Sequence, residues 1–282
     1  MSQDIGAALE GWQYDPESVT VRIIVGDDGR EKVQLRLDLG LLQMEVTGRP
    51  DGQRPHDCES WLDHYEAQQR KHDSEHPDGP AFQLGPSECT NLLREGIQYY
   101  HRYLSFWHLD RYAECARDTA RNLRLFRFVH EYARRERDKL QFDQFRPYVT
   151  LMHTRAVATP LVNAGEFAAA LESIDRGIGG IQAFLEEYEQ TARADQCREL
   201  VELEAWRREV EELAGAERRA EGDGASGATA RSSTGSEALT ELPAHADPLA
   251  QLKAQLESAV AEERFEDAAR LRDEIHRRSG GP

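Results

Sequence analysis

The sequence predicts a mainly α (α+β) protein. A small antiparallel β element comes first, then an α-helical body, a flexible linker and a C-terminal antiparallel helical hairpin. Three observations predict this. Apolar residues alternate with period two between residues 19 and 47, and they recur at helical spacing from Ser87 to about Ala220. A stretch rich in Gly, Ser, Ala and Thr at 220–246 then separates that region from a last amphipathic segment. The segments are 1–86, 87–219, 220–246 and 247–278.

The β element rests on VTVRIIV (19–25) and EKVQLRLDL (31–39), joined by GDDG (26–29), which supplies Asp-Gly turn chemistry. In the second run Val33, Leu35, Leu37 and Leu39 share one face, while Lys32, Gln34, Arg36 and Asp38 share the other, so a half-buried strand is expected. LLQMEVTG (41–48) continues as a third strand. GRPDGQRPHD (48–57) is a loop, because Pro50, Gly52 and Pro55 interrupt a ladder. Residues 66–80, polar and ending in Pro and Gly, read as a connector. Three short strands cannot close a core alone, so the sheet must rest on helices or on another copy.

Helical spacing begins after Ser87 and Glu88 with LLREGIQYYHRYLSFWHL (92–109) and breaks at Leu109-Asp110. RYAECARDTARNLRLFRFVHEY (111–132) follows. A further helix near 143–163 stops around Asn163-Ala164-Gly165, ahead of EFAAALESIDRGIGGIQAFLEEY (166–188) and a final helix over about 192–218. Tyr99, Tyr100, Tyr103, Phe106 and Trp107 are spaced to pack between helices rather than to cage a ligand. Shifting the chain by 55 residues pairs Tyr112 with Phe167, Ala113 with Ala168, Ala116 with Leu171 and Leu123 with Ile178. This resembles tetratricopeptide-type helix pairs, with a period longer than their 34 residues; an ordinary helix bundle fits equally well.

The net charge is −17 over 282 residues, and the first 87 hold 17 of the acidic and 8 of the basic side chains. Such a chain repels phosphate backbones at long range, which argues against nonspecific nucleic-acid binding by the whole molecule. Residues 111–146 reverse the balance, with ten basic and six acidic groups. Arg117, Arg121, Arg124, Arg127, Arg134, Arg135, Arg137 and Lys139 are interleaved there with Tyr112, Phe126, Phe128 and Tyr132. That is the composition of a nucleic-acid or phosphopeptide surface, but the interspersed carboxylates favour an ordinary solvated face.

Cys58, Cys89, Cys115 and Cys197 form no Cys-x-x-Cys pair, which fits neither a disulfide framework nor a zinc knuckle and suits a reducing compartment. The start lacks a basic and apolar leader, and no apolar run approaches the ~18–20 residues of a membrane span. A soluble cytoplasmic protein is expected, with no cofactor and no membrane partner. His56, Asp57, Cys58 and Glu59 offer metal-ligand types, but no second pair completes a tetrahedron. Asp51, Asp57 and Asp63 offer carboxylates, but nothing in the spacing sets two together. No G-x-x-x-x-G-K-[ST] phosphate cradle is present. The chain reads as a non-enzyme with no catalytic or metal residues.

In DPLAQLKAQLESAVAEERFEDAARLRDEIHRR (247–278), Asp247 suits an N-cap and Pro248 the first helical position. Leu249, Leu252, Leu256 and Val260 make one apolar stripe; after a polar break, Phe265, Ala268, Ala269, Leu271 and Ile275 make a second. A hairpin of about 30 residues buries too little to stand alone, so it needs a partner or a second copy.

These residues resemble the UVR domain, the UvrB/UvrC motif. Phe265, Glu266, Ala268, Ala269, Leu271, Arg272, Asp273 and Ile275 stand where that family has them. The resemblance implies a helical hairpin that pairs with a like hairpin, as in joining excision-repair subunits or in chaperone–protease adaptors. The expected partner is another protein bearing a UVR-type hairpin, or a second copy. Partner-facing residues would be Leu249, Leu252, Leu256, Val260, Phe265, Ala268, Ala269, Leu271, Arg272 and Ile275. The stretch GDDGREKVQLRLDLGLLQMEVTGRPDGQRP resembles uncharacterised bacterial proteins with the same C-terminal motif. An adaptor with a tie to nucleotide excision repair is the leading expectation. The alternative is a repair accessory touching nucleic acid through Arg117–Lys139.

Overall fold

A computed structural model describes residues 4–222. The hairpin at 247–278, with its ten partner-facing residues, and the linker beyond Gly222 lie outside them. After a short helix α1 (Gly6–Leu9), three strands form one antiparallel sheet in the order β1 (Val21–Val25), β2 (Glu31–Leu37), β3 (Gly40–Glu45). Val33 stands opposite Ile23 on one side and Met44 on the other. The turn at 26–29 closes with Gly29 at φ 73°, a left-handed backbone that favours glycine.

The middle strand differs from the half-buried expectation. Lys32, Val33, Gln34 and Leu35 are all buried, whereas Leu37 and Leu39 lie toward solvent, Leu39 at 90% exposure. Partnership, not polarity, decides this. Lys32 bonds Asp28 and Glu45, and Gln34 accepts from Arg22 and donates to Gln43 across both neighbours. Paired polar groups can be buried at little cost.

Residues 66–80 are not simply a connector, because helix α2 (Trp61–Glu75) runs through most of them. Ser60 caps it, accepting from Asp63 N–H at 3.1 Å, and Leu62 and Tyr65 bury its one apolar edge. The rest of α2 is so polar that its period is invisible in the sequence. The helical body follows: α3 (Pro86–His108), α4 (Tyr112–Tyr132), the unanticipated short α5 (Glu136–Asp143), α6 (Arg146–Asn163), α7 (Phe167–Glu187) and α8 (Arg198–Gly222). Each long helix packs on the next, α3 on α4, α4 on α6, α6 on α7 and α7 on α8, while the sheet rests on α3. Tyr99, Tyr103 and Phe106 are core residues as their spacing predicts. No helix among the described residues is long and apolar enough to cross a membrane.

The 55-residue shift extends well beyond the four pairs seen in the sequence. It carries the end of α3 at His108 onto the end of α6 at Asn163, and both ends of α4 onto both ends of α7. The turns match bond for bond. Arg111 N–H donates to Phe106 C=O at 2.9 Å, and Glu166 N–H donates to Leu161 C=O at 2.8 Å. Asp110 at φ 55° corresponds to Gly165 at φ 76°. Buried faces coincide too: Cys115 with Ala170, Thr119 with Ile174, Phe126 with Ile181. Ala113 and Ala168 are exposed, however, so they do not mark the close helix approach expected of small residues. That approach is at Gly177, whose α-carbon faces Thr154.

Candidate functional site

The residues singled out near 51–63 do not converge. Asp51 pairs with Arg49 at 2.9 Å and Asp63 with Arg124 at 2.8 Å, each as one end of an ordinary ion pair. His56 stacks on His64, and Cys58 Sγ lies 4.0 Å from His64 Nδ1, but Asp57 and Glu59 do not join them. Burial raises the thiol pKa of Cys89 to about 11 and pushes Cys115 and Cys197 up as well. An activated thiol needs the opposite shift.

Much of the basic run is committed inside the protein. Arg117 bonds Asp118 and the Val46 carbonyl, Arg121 pairs with Glu95, Arg124 with Asp63 and Glu66, Arg135 with Asp138, and Lys139 with Glu136. The interleaved carboxylates do pair with these cations, but the face is not simply solvated as expected: Glu95 and Asp118 are buried and Arg121 is 11% exposed.

The first hairpin, α3–α4, uses its groove to hold the sheet. Arg102 is 1% exposed and donates Nε and NH2 to Asp118, itself 1% exposed, at 2.6 and 2.9 Å. Its NH1 donates to the carbonyls of Glu45 and Gly48, both at 2.8 Å, where β3 runs into its loop. Tyr99 Oη adds a 3.3 Å bond to Gly48 C=O, and Gln98 donates to Asp51 at 3.0 Å. Glu95, fully buried, accepts from the Trp61 and Leu62 N–H groups at the start of α2 and from Arg121. A chain segment crossing over 45–62 therefore fills this groove, and its backbone is satisfied by helix side chains.

Among the described residues no segment fills the equivalent groove of the second hairpin, α6–α7. A cleft of about 620 Å³ lies between it and α4. Applying the same 55-residue shift, Glu95, Tyr99, Arg102, Asp118 and Arg121 become Thr150, Thr154, Val157, Ser173 and Arg176, all of which line the cleft. The arginine is kept while its carboxylate becomes a threonine. Arg127 and His130 on α4, Arg146 at the start of α6 and His153 complete the polar wall, with Glu187 as its carboxylate. Ile181 and Phe184 supply an apolar floor. Arg146 opens a helix with no acidic residue in its first turn, so the positive end of that helix adds to the wall. Of these polar cleft residues only Arg127, His130 and Arg146 fall within the basic stretch 111–146, and the set converges only once α4, α6 and α7 pack.

One end of the cleft is closed by a polar clasp. His130 Nδ1 lies 2.6 Å from Asp143 Oδ2 and Nε2 lies 3.3 Å from Glu187 Oε1, while Tyr188 Oη donates to Asp143 at 2.5 Å. Among the described residues His130, Asp143 and Glu187 are the group close enough to share a metal ion. Each imidazole nitrogen faces a different carboxylate, and Arg146 sits 2.9 Å from Glu187 and 3.7 Å from Asp143. A guanidinium in that position competes with any cation, so the arrangement is an ion-pair clasp rather than an open coordination site.

His153 Nδ1 lies 3.1 Å from Thr119 Oγ1, whose own hydrogen goes to Cys115 C=O at 2.8 Å. The ring therefore donates from Nδ1. Burial holds His153 and His108 below the ordinary imidazole value, and His108 Nε2 finds no hydrogen-bond partner among the described residues. The unfolded rings gain a proton near pH 6.5 and the folded rings only below it. Stability is therefore complete above that pH and is lost as pH falls through the folded values. The melting temperature is expected to fall between pH 7 and about 5.5, and His108→Leu to flatten that fall; an unchanged slope in the variant would refute the assignment to His108.

Comparison with known proteins bears on the C-terminal segment. The family model of the UvrB/uvrC motif (UVR) matches residues 247–277. No curated protein matches the chain, and no solved structure does.

Proposed function

We propose that this chain is a non-enzymatic cytoplasmic adaptor that docks a partner protein through its C-terminal UVR hairpin and works alongside nucleotide excision repair. The single observation that carries the reading is the UVR match at 247–277, since the motif is that of the excision-repair proteins UvrB and UvrC. Supporting it, the described thiols with a shifted pKa are raised rather than activated, and the acidic loop near 51–63 is spent on ion pairs. Leu252, Leu256, Val260, Phe265, Leu271 and Ile275 would form the docking seam, against another UVR-type hairpin or a second copy. Tethering through a long linker would raise the local concentration of whatever the body holds.

Affinity capture from native lysate tests this, using the full chain, Phe265→Asp and a chain ending at Ala246. A buried, unpaired aspartate in the seam is expected to cost about 3–5 kcal/mol, a loss of affinity on the order of 10²–10³-fold. A partner should vanish with both changes. Identical capture by all three forms, with no concentration-dependent self-association of the full chain, would remove the reading. Direct nucleic-acid contact through Arg117–Lys139 is the weaker alternative, because five of those cations already hold carboxylates.

A further inference from the structure

The two hairpins share one register, yet the groove of the first is filled by the chain's own segment 45–62 while no segment among the described residues fills that of the second. We infer that the cleft between α4, α6 and α7 is a peptide-binding groove whose ligand is a short acidic segment of another protein. The inference goes beyond the adaptor reading and does not depend on the hairpin.

Three features lead to that ligand. Equivalence comes first: side chains at the same repeat positions in the first hairpin hold a bent loop segment through its carbonyls and through one charged side chain, Arg49, which sits 3.6 Å from Glu95. Charge comes second. At the position of Glu95 the second hairpin has Thr150, while the arginine at position 121 is repeated as Arg176. The first groove therefore receives a cation, and the second is built for the opposite sign. Among the described residues Arg127 and Arg176 make no ion pair, and Arg176 bonds only the Glu172 carbonyl, at 3.4 Å. Planar guanidinium groups match carboxylates in bidentate geometry. In a chain of net charge −17 such a local reversal stands out, and it favours approach of an acidic segment to this cleft. Size comes third. About 620 Å³ exceeds what one carboxylate fills, and the apolar floor of Ile181 and Phe184 leaves room for aliphatic parts of a short peptide.

The test uses the full chain and a fluorescein-labelled peptide of alternating glutamate and leucine, followed by anisotropy. A peptide with lysine in place of glutamate serves as control. Saturable binding of the acidic peptide is expected, fading as salt rises. The double variant Arg127→Gln/Arg176→Gln should weaken it at least about tenfold. Its melting temperature should be unchanged, because neither side chain holds a carboxylate. Arg94→Gln, which removes one charge from α3 away from the cleft, should bind like the parent, and so should Phe265→Asp, which separates this site from the hairpin. The inference is overturned if the lysine peptide binds as well, if the double variant binds unchanged, or if inorganic phosphate or a mononucleotide displaces the peptide at lower concentration than free glutamate peptide does.

Discussion

Arg102→Leu is expected to destabilise the described fold by about 3–5 kcal/mol, out of a total that for domains is about 5–15 kcal/mol. The side chain is 1% exposed and spends its guanidinium on four acceptors in three elements. Leucine leaves the Asp118 carboxylate buried with Arg117 as its remaining partner, at 2.9 Å, and takes a donor from the carbonyls of Glu45 and Gly48, the latter keeping only the 3.3 Å bond from Tyr99 Oη. Orphaning, rather than loss of attraction, dominates the cost. Two companion variants separate these contributions. Arg102→Lys keeps the charge but not the fork, so its loss should be intermediate. Arg102→Met/Asp118→Leu removes both charges and should recover part of the loss, a positive coupling between touching residues. Urea unfolding followed by tryptophan fluorescence reads all three. A loss below about 1 kcal/mol for Arg102→Leu would mean that water reaches Asp118 and that the weld is not dry.

The sheet was legible in the sequence because alternation and an Asp-Gly turn are local signals. The break at Leu109-Asp110 was legible for the same reason, and so was the hint of repetition in Tyr112 and Phe167. What stayed hidden depends on long-range partnership. Lys32 and Gln34 look like solvent-facing residues until Asp28, Arg22, Gln43 and Glu45 are placed around them. Helix α2 carries Gln, Arg, Lys, His and Asp over most of its surface, so its core contacts, Leu62 and Tyr65, are too few to show a period. The mix of arginines and carboxylates over Arg117–Lys139 was visible as composition, but which carboxylate each arginine takes was not. The cleft is the extreme case. Arg127, Arg146, Arg176 and His153 stand on three helices, and a linear scan for basic runs catches only the first two. One signal would have found it: carrying the 55-residue shift through every position, where Arg121 repeats as Arg176 but Glu95 does not repeat.

The crossing of α6 and α7 leaves no room for a side chain at Gly177. Gly177→Ala is expected to be destabilising even though alanine is the better helix former by about 1 kcal/mol. A β-carbon there would overlap Thr154 Oγ1 and stand 2.9 Å from Cγ2 and 3.0 Å from Cβ. Thr154 is buried and its hydroxyl is held by the Thr150 carbonyl at 2.8 Å, so it has little freedom to turn away. Overpacking a tight crossing costs about 1–3 kcal/mol, and here it must also part α6 from α7. The helix gain offsets only a fraction of that. A net loss on the order of 1–2 kcal/mol is expected in urea unfolding. Thr154→Ala in the same chain removes Oγ1 and Cγ2 and leaves only the 3.0 Å contact, so the double variant should unfold later than Gly177→Ala alone. Gly179→Ala is the control, since nothing lies within 4 Å of its would-be β-carbon; it should be neutral or slightly stabilising. If Gly177→Ala instead stabilises the protein as Gly179→Ala does, the two helices are not in close contact at this point and the wall of the cleft is not fixed by their crossing. If it destabilises and the threonine change rescues it, the cleft owes its shape to a glycine at position 177, where the first hairpin has Asn122 donating across to Gly96 C=O at 3.0 Å.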